Sequence, residues 1–207
     1  MTTKTVKKLK KDPLNLIIIG VAGQGNVLIS QLVCNALASE GYLVTFGQTY
    51  SSNQRGGSVN NYVRVSKEIQ CSPLVPSGAA DVIVGMEPLD TLRMLAQFGN
   101  PKVMTIVNPR PIDVAGRVSD YPDLNKLMET IKGLSGKTLV INATVEAEKL
   151  GDARMANMIL TGALVATGVL PLDEKSMAPF VQERFPDDFD INMAAFSKGI
   201  ELYEAAK

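Results

Sequence analysis

The chain has 207 residues, 45% hydrophobic and 20% charged, and its 21 basic and 21 acidic residues give a formal net charge of zero. This composition fits a globular domain with a substantial core, and the balanced charge gives no electrostatic reason to expect a nucleic-acid partner. The absence of histidine excludes histidine triads, histidine bases and histidine metal sites. Cys34 and Cys71 are too few for an iron–sulfur cluster or a four-ligand zinc site, and neither is expected to be catalytic.

The N-terminal residues 1–13 are rich in lysine and are expected to form a basic, flexible N-terminus, followed by one domain over residues 14–207. The apolar run that begins at Leu14 turns at once into a glycine-rich stretch. It therefore differs from a signal peptide, and no apolar run has the length that a bilayer requires. We expect a cytoplasmic protein with no membrane partner.

The first elements form a strand, turn, helix and strand in chain order. Residues 14–19 are branched aliphatic and predict a buried parallel strand. Residues 20–25 form a glycine turn, and residues 27–37 have helical apolar spacing up to a stop at Gly41. Residues 42–46 predict a second strand, which a right-handed crossover would make parallel to the first.

Strands and helices continue to alternate along the rest of the chain. This order predicts an α/β fold: a single Rossmann-like layered domain with a mostly parallel sheet, helices on both faces and a C-terminal helical segment. The remaining predicted strands are 59–65, 69–74 (pairing with 59–65), 81–85, 103–107 and 139–141, and the remaining predicted helices are 88–96, 122–134, 153–167, 176–184 and 191–203.

The glycine turn is a candidate anion site. Gly20, Gly23 and Gly25 flank Gln24 between a strand and a helix, where unpaired backbone N–H groups favour phosphate. The spacing differs from the dinucleotide fingerprint, and the lysine and hydroxyl of a P-loop are missing. No acidic residue follows the second strand to bind a ribose, and Gln48 is the nearest polar candidate. Alternatively, the glycines only let the helix pack closely on the sheet.

A second polar loop, residues 51–58, lies between the predicted strands 42–46 and 59–65. Arg55 offers a planar fork of donors to a phosphate or a carboxylate, and its glycine neighbours allow close approach of a partner. The alternatives are an ordinary surface turn or an interface anchor. The candidate binding or interface residues of this loop are Ser52, Gln54, Arg55, Gly56, Gly57 and Ser58.

Further polar residues follow the predicted strands and are expected at the carboxyl edge of the sheet, where open α/β sheets bind ligands. Glu87 is expected mainly to cap the helix that begins at Pro88. No combination of nucleophile, base and orienting group is recognisable, so we expect binding rather than catalysis and assign no catalytic residue. The residues at this edge are Gln24, Gln48, Tyr50, Glu87, Asn108, Asn142 and Thr144.

Several ordered motifs resemble the gamma subunit or domain of 2-oxoacid:ferredoxin oxidoreductases. The C-terminal motifs are most similar to the small, beta-named subunit of the indolepyruvate type. Ala22 stands where the family usually has glycine, and Asn26 where it has an apolar residue. The resemblance extends over about residues 14–203 and is carried by residues 20–25, 52–58, 62–64, 72–76, 80–88, 157–162, 183–186 and 192–196.

The resemblance implies an accessory subunit that is inactive alone. Such complexes oxidatively decarboxylate a 2-oxoacid on thiamine diphosphate with magnesium, pass electrons through iron–sulfur clusters to ferredoxin, and transfer the acyl group to coenzyme A. Those cofactors would lie on a larger partner subunit, and this chain would help bind or cover coenzyme A and assemble the complex. The alternatives are a self-contained nucleotide- or NAD(P)-binding protein and a pure interaction scaffold.

Overall fold

The computed structural model describes residues 8–51, 57–112 and 121–207. Within these ranges six strands form one sheet in the order β2-β3-β1-β4-β5-β6. The strands are β1 Leu14–Val21, β2 Leu43–Tyr50, β3 Ser58–Ser66, β4 Val82–Gly85, β5 Met104–Val107 and β6 Lys137–Val140. The helices of the described ranges are α1 Asn26–Ser39, α2 Pro88–Phe98, α3 Leu124–Leu134, α4 Ala143–Lys149, α5 Ala156–Ala166, α6 Glu174–Arg184 and α7 Phe189–Ala205.

The sheet is mostly parallel, as predicted, but one antiparallel strand is inserted in it. β1, β4, β5 and β6 are parallel neighbours, whereas β3 is antiparallel to both β1 and β2. β2 runs parallel to β1, as predicted, but the two strands are not neighbours, because β3 lies between them. The reason is that β2 and β3 form a hairpin, with Tyr50 opposite Val59, and the returning strand takes the place beside β1, with Val21 opposite Ser58.

The predicted strand at residues 69–74 is not formed, and this segment crosses one face of the sheet instead. Side chains of the neighbouring strands donate hydrogen bonds to its backbone carbonyls, in place of the backbone–backbone bonds that a strand would make. The Thr45 hydroxyl donates to the Cys71 carbonyl at 3.0 Å. The Arg64 guanidinium donates to the carbonyls of Ser72 and Leu74 at 3.2 and 3.3 Å. Gly47 leaves room for the crossing, because a Cβ there would lie 2.6 Å from the Pro73 carbonyl oxygen.

The sheet separates two hydrophobic cores, which confirms that helices cover both faces. Leu16 and Ile18 of β1 join the core that contains residues of α1 and α4 to α7. Ile17 and Ile19 point the other way and join the core of α2 and α3. A strand buried on both faces has no polar alternation, which explains the continuous aliphatic run in the sequence.

The C-terminal helices pack closely on the first core. α5 and α7 cross where Gly162 faces the backbone of Phe196 and Gly199 faces the backbone of Ile159. The predicted helix at 153–167 begins with a separate 3₁₀ turn, Ala153–Met155, and α4 was not predicted. None of the helices in the described ranges is both long and apolar enough to cross a membrane.

Part of the predicted N-terminal segment contacts the domain. Leu9 is buried in the first core, and the Lys11 ammonium lies 2.7 Å from the Asp81 carboxylate. An Asp12 carboxylate oxygen accepts from the Lys67 backbone N–H at 3.0 Å. The boundary between residues 13 and 14 stays a prediction.

Candidate functional site

A cavity of about 640 Å³ opens at the carboxyl edge of the sheet. After β1 the chain continues to β2 at one edge of the sheet, and after β4 it continues to β5 on the other side. The crevice between β1 and β4 is therefore a topological switch point, which is the usual ligand site of open α/β sheets. The cavity is lined by Gly23, Gln24, Gly25, Leu28, Met86, Asn108, Arg110, Pro111, Ile112, Thr144, Ala153, Arg154, Met155, Ala156, Asn157, Phe185, Asp188 and Asn192.

The glycine turn forms one wall of the cavity. Gly25 has a positive φ of 83° and lies directly before α1, and a Cβ there would overlap the Asn157 side chain. The Gln24 side chain accepts from the Val21 N–H at 2.7 Å and donates to the Met86 carbonyl at 3.2 Å. Gly20 leaves room for that side chain, because a Cβ there would lie 2.7 Å from the Gln24 oxygen. The turn is thus held rigidly while the first turn of α1 faces the cavity.

Of the two departures from the family pattern, Asn26 has a structural role through its side chain, whereas Ala22 contributes a backbone contact that glycine would also make. The Asn26 amide is buried and donates to the Val59 carbonyl at 2.8 Å and to the Gly20 carbonyl at 3.4 Å. It therefore ties α1 to β3 and β1 rather than facing a ligand. The Ala22 N–H donates to the Gly57 carbonyl at 3.0 Å, which joins the glycine turn to the end of the second predicted loop.

The second loop is described only at its ends. Ser52, Gln54, Arg55 and Gly56 lie outside the described residues. Gly57 contacts the glycine turn, whereas the Ser58 hydroxyl donates to the Asp90 carboxylate at 2.7 Å. Ser58 lines a separate cavity of about 210 Å³. The ends of the two predicted loops are therefore neighbours, although they border different cavities.

Asn108 and Thr144 join the ends of β5 and β6 at the floor of the main cavity. The Asn108 amide donates to the Thr144 hydroxyl at 2.9 Å and to the Met86 carbonyl at 3.3 Å. Asn108 is buried, so these bonds fix its orientation. Together with Gln24, these residues meet at the edge where the sequence placed them.

The other four polar residues of that group lie elsewhere. Gln48 and Tyr50 are inside β2, and the Gln48 amide donates to the Asn61 side-chain oxygen at 2.7 Å. Asn142 is exposed at the start of α4 and makes no side-chain capping bond. Glu87 caps α2, as expected, by accepting from the Asp90 N–H at 2.8 Å. Burial raises the pKa of Glu87, opposed by hydrogen bonds from Tyr121, Asp90 and Ile112.

Arg110 and Arg154 are the cationic residues of the cavity lining that the sequence did not single out. Arg110 follows Asn108 by two positions, and Arg154 lies in the 3₁₀ turn that leads into α5. The asparagine-containing motif at 157–162 marked the second of these regions, but nothing in the local pattern singled out the arginine. Sequence separation hides their proximity, since only the sheet order brings both segments to one edge.

The two arginines that line the cavity are each paired with a carboxylate outside its lining. The Arg154 guanidinium lies 2.6 Å from the Asp152 carboxylate, and its hydrogen bond lowers the pKa of Asp152. Arg110 lies 4.0 Å from the Glu148 carboxylate, with both side chains more than half exposed. The Arg110 pair is long and exposed, so an incoming phosphate can replace Glu148, whereas Arg154 is held by both oxygens of Asp152 and would keep that contact beside a phosphate. Asp188 contributes an opposing charge to the lining.

The described cysteines and acidic residues do not form a metal site. Among the described residues there is no group of three or more side chains that could hold a metal ion. Burial raises the pKa of the Cys34 thiol to about 12, so this thiol is protonated and unreactive at neutral pH.

Comparison with known proteins identifies the class. Residues 15–202 match the family described as pyruvate ferredoxin/flavodoxin oxidoreductase. The indolepyruvate oxidoreductase subunit IorB of Archaeoglobus fulgidus is 30% identical over 190 residues, which cover 90% of this chain and 93% of that subunit.

Two solved structures share the fold. The 2-oxoglutarate:ferredoxin oxidoreductase of Magnetococcus marinus, described with 2-oxoglutarate, coenzyme A and succinyl-CoA bound, gives a TM-score of 0.74 at 19% identity. The match covers 96% of this chain but 32% of that one. The keto/oxoacid ferredoxin oxidoreductase gamma subunit of Geobacter sulfurreducens gives a TM-score of 0.68 at 22% identity and covers 93% of this chain and 99% of that one.

The fold and the matched sequence thus define a subunit or domain of a 2-oxoacid:ferredoxin oxidoreductase. The chain belongs to the pyruvate ferredoxin/flavodoxin oxidoreductase family. The expectation of a gamma-type accessory subunit is confirmed by these matches.

Proposed function

We propose that this accessory subunit binds the phosphate-bearing part of coenzyme A in the cavity between Gly25, Arg110 and Arg154. The observation that carries the proposal is that the N-terminus of α1 and two arginines line one cavity at the switch point of the sheet. First-turn N–H groups and guanidinium groups are both suited to phosphate. The volume of about 640 Å³ lies in the range of small-molecule sites.

The redox cofactors belong, in this proposal, to a larger partner subunit. Thiamine diphosphate with magnesium would supply decarboxylation, and iron–sulfur clusters would pass electrons to ferredoxin. This chain's own residues bind and orient the acyl acceptor. The Arg55 loop, whose end contacts the glycine turn through Gly57, would add donors to coenzyme A or to the partner. We place the complex in the cytoplasm.

The sheet order weakens the alternative of a self-contained NAD(P) protein. In a dinucleotide fold the strand after the first helix lies beside the first strand, so its end can bind the ribose. Here β3 separates β2 from β1, and the end of β2 is one strand further away. That end carries Tyr50 and Ser51 rather than an acidic residue.

The test is equilibrium binding of coenzyme A to the complex formed with the partner subunit. Arg154→Ala is expected to weaken binding by roughly tenfold, because a charge-assisted contact to phosphate is lost. Arg184→Ala is the matched control, since it removes an exposed arginine that does not line the cavity. Wild-type affinity in both Arg154→Ala and Arg110→Ala would remove this cavity from the account.

The edge strand β2 is our proposed contact with the partner subunit. Its sequence, LVTFGQTY, has no charged residue or proline, the usual protection of an exposed edge. Of the eight large apolar side chains that are exposed in the described residues, five lie on β2 or on the crossing segment beside it: Leu43, Phe46, Tyr50, Ile69 and Leu74.

Phe46→Lys is therefore expected to reduce co-purification with the partner subunit by about tenfold while the isolated chain stays folded, because it places a charge at an apolar contact. Leu134→Lys on α3 is the matched control, with 45% exposure against 39% for Phe46. Pull-down with a tagged partner and circular dichroism measure the two effects. Equal recovery of both variants would contradict the assignment of β2.

A further inference from the structure

We infer that Glu87 is a positioning residue of the coenzyme A site, which fixes the segment carrying Arg110; this inference rests on the proposed function. Glu87 itself does not line the cavity. Its carboxylate is 1% exposed and lies directly after β4, behind the wall formed by Arg110, Pro111 and Ile112.

Three donors from separate parts of the chain converge on this carboxylate. The Asp90 N–H donates at 2.8 Å and anchors the carboxylate to the first turn of α2. The Tyr121 hydroxyl also donates to it, and the Ile112 backbone N–H lies close enough to favour its charged form. Ile112 and Tyr121 stand immediately before and after residues 113–120, which lie outside the described residues. One buried group therefore holds the chain on both sides of that segment.

Helix capping alone does not account for a glutamate here. Serine, aspartate or asparagine caps a helix at least as well, and leaves no long side chain to bury. A buried carboxylate is costly unless donors surround it. The longer glutamate reaches Tyr121 and the Ile112 backbone while it caps α2: one oxygen accepts from the Asp90 N–H and the other from the Tyr121 hydroxyl. The arrangement thus connects a rigid element, the end of β4, to the wall that presents Arg110.

Glu87→Asp tests this role because aspartate keeps the charge and the cap but shortens the reach. In the complex with the partner subunit, we expect the KM for coenzyme A to rise roughly tenfold, as for a lost charge-assisted bond, with kcat and the KM for the 2-oxoacid unchanged. Hydrogen exchange at the Ile112 amide should become faster. Tyr121→Phe, which removes one donor, should change the same two quantities in the same direction by a smaller factor.

Asp123→Ala is the control for lost capping. Asp123 caps α3 by accepting from the Lys126 N–H at 2.9 Å and does not line the cavity. This variant should leave the KM for coenzyme A unchanged. A rise equal to that of Glu87→Asp would show a general effect of helix fraying and overturn the inference.

Arg110→Ala, measured in parallel, separates the inference from the proposed function. If Arg110→Ala raises the KM for coenzyme A and Glu87→Asp and Tyr121→Phe do not, the positioning role is wrong and the proposed function stands. If neither Arg110→Ala nor Arg154→Ala changes the KM for coenzyme A, both the proposed function and the positioning role are overturned. If Glu87→Asp does not fold, Tyr121→Phe is the deciding variant. Wild-type hydrogen exchange at the Ile112 amide together with a wild-type KM for coenzyme A in this variant would overturn the inference.

Discussion

Gly162→Ala is expected to destabilise the chain by about 2–3 kcal/mol, the upper part of the usual cost of overpacking a core. The Cβ of alanine would overlap the Phe196 carbonyl of α7, and backbone in a packed helix cannot move aside as a side chain can. Gly199 faces the backbone of Ile159 from the other helix, so both helices approach without side chains between them. Separating them would open the first hydrophobic core.

Gly133→Ala is the matched control for that measurement. Gly133 also lies within a helix, but a Cβ there would meet nothing within 4 Å. Alanine should therefore stabilise the chain by about 0.5–1 kcal/mol through helix propensity. Chemical denaturation of the two variants and the wild type gives both numbers. A Gly162→Ala variant as stable as the wild type would contradict the close crossing of α5 and α7.

The double variant Arg110→Ala/Arg154→Ala is expected to raise the KM for coenzyme A by about a hundredfold. The two arginines come from separate elements, the end of β5 and the turn before α5, and their carboxylate partners, Glu148 and Asp152, are different. When each arginine contacts a different phosphate group of coenzyme A, the two losses are nearly additive in free energy, so two tenfold losses multiply. The KM for the 2-oxoacid should stay unchanged, because decarboxylation is assigned to the partner subunit.

Steady-state kinetics of the complex, with coenzyme A and 2-oxoacid varied in turn, measure these effects. The control is Arg184→Ala combined with Lys102→Ala, which also removes two cationic side chains but neither of the cavity arginines. If both double variants raised the KM for coenzyme A equally, the effect would be one of net charge and not of the cavity.

Local patterns predicted most of the fold because its strands are strongly marked. β1 is buried on both faces, and its aliphatic run, interrupted near its start by Asn15, could only be a core strand or a buried helix segment. Pro88 marked the start of α2, and Gly41, with a positive φ of 93°, marked the end of α1. These signals are local, and each acts through the backbone of the residue that carries it.

The errors concern partners that local patterns do not encode. Apolar alternation indicates a strand but does not say which strands are neighbours, so the place of β3 between β1 and β2 could not be derived. Residues 69–74 contain exposed Ile69 and Leu74, whose apolar character suggested a strand, yet their backbone is bound by Thr45 and Arg64 side chains. Such contacts depend on the finished sheet.

The candidate site was predictable in position but not in charge. Gln24, Asn108 and Thr144 follow predicted strands, and the carboxyl ends of parallel strands lie at the same edge of a sheet, so these residues were expected together there. Arg110 and Arg154 are common surface residues in sequence, and only the crossing of α5 beside the glycine turn brings them to the cavity. The capping role of Glu87 followed from Pro88, whereas its contacts with Ile112 and Tyr121 span more than 20 residues.

The central claim is that this chain binds the acyl acceptor while another polypeptide carries out the redox chemistry. The most direct measurement is 2-oxoacid-dependent electron transfer to ferredoxin by the purified chain, by the purified partner subunit and by their mixture, with and without coenzyme A. We predict no turnover by the chain alone and coenzyme A-dependent turnover by the mixture. Oxidative decarboxylation by the chain alone would contradict the account.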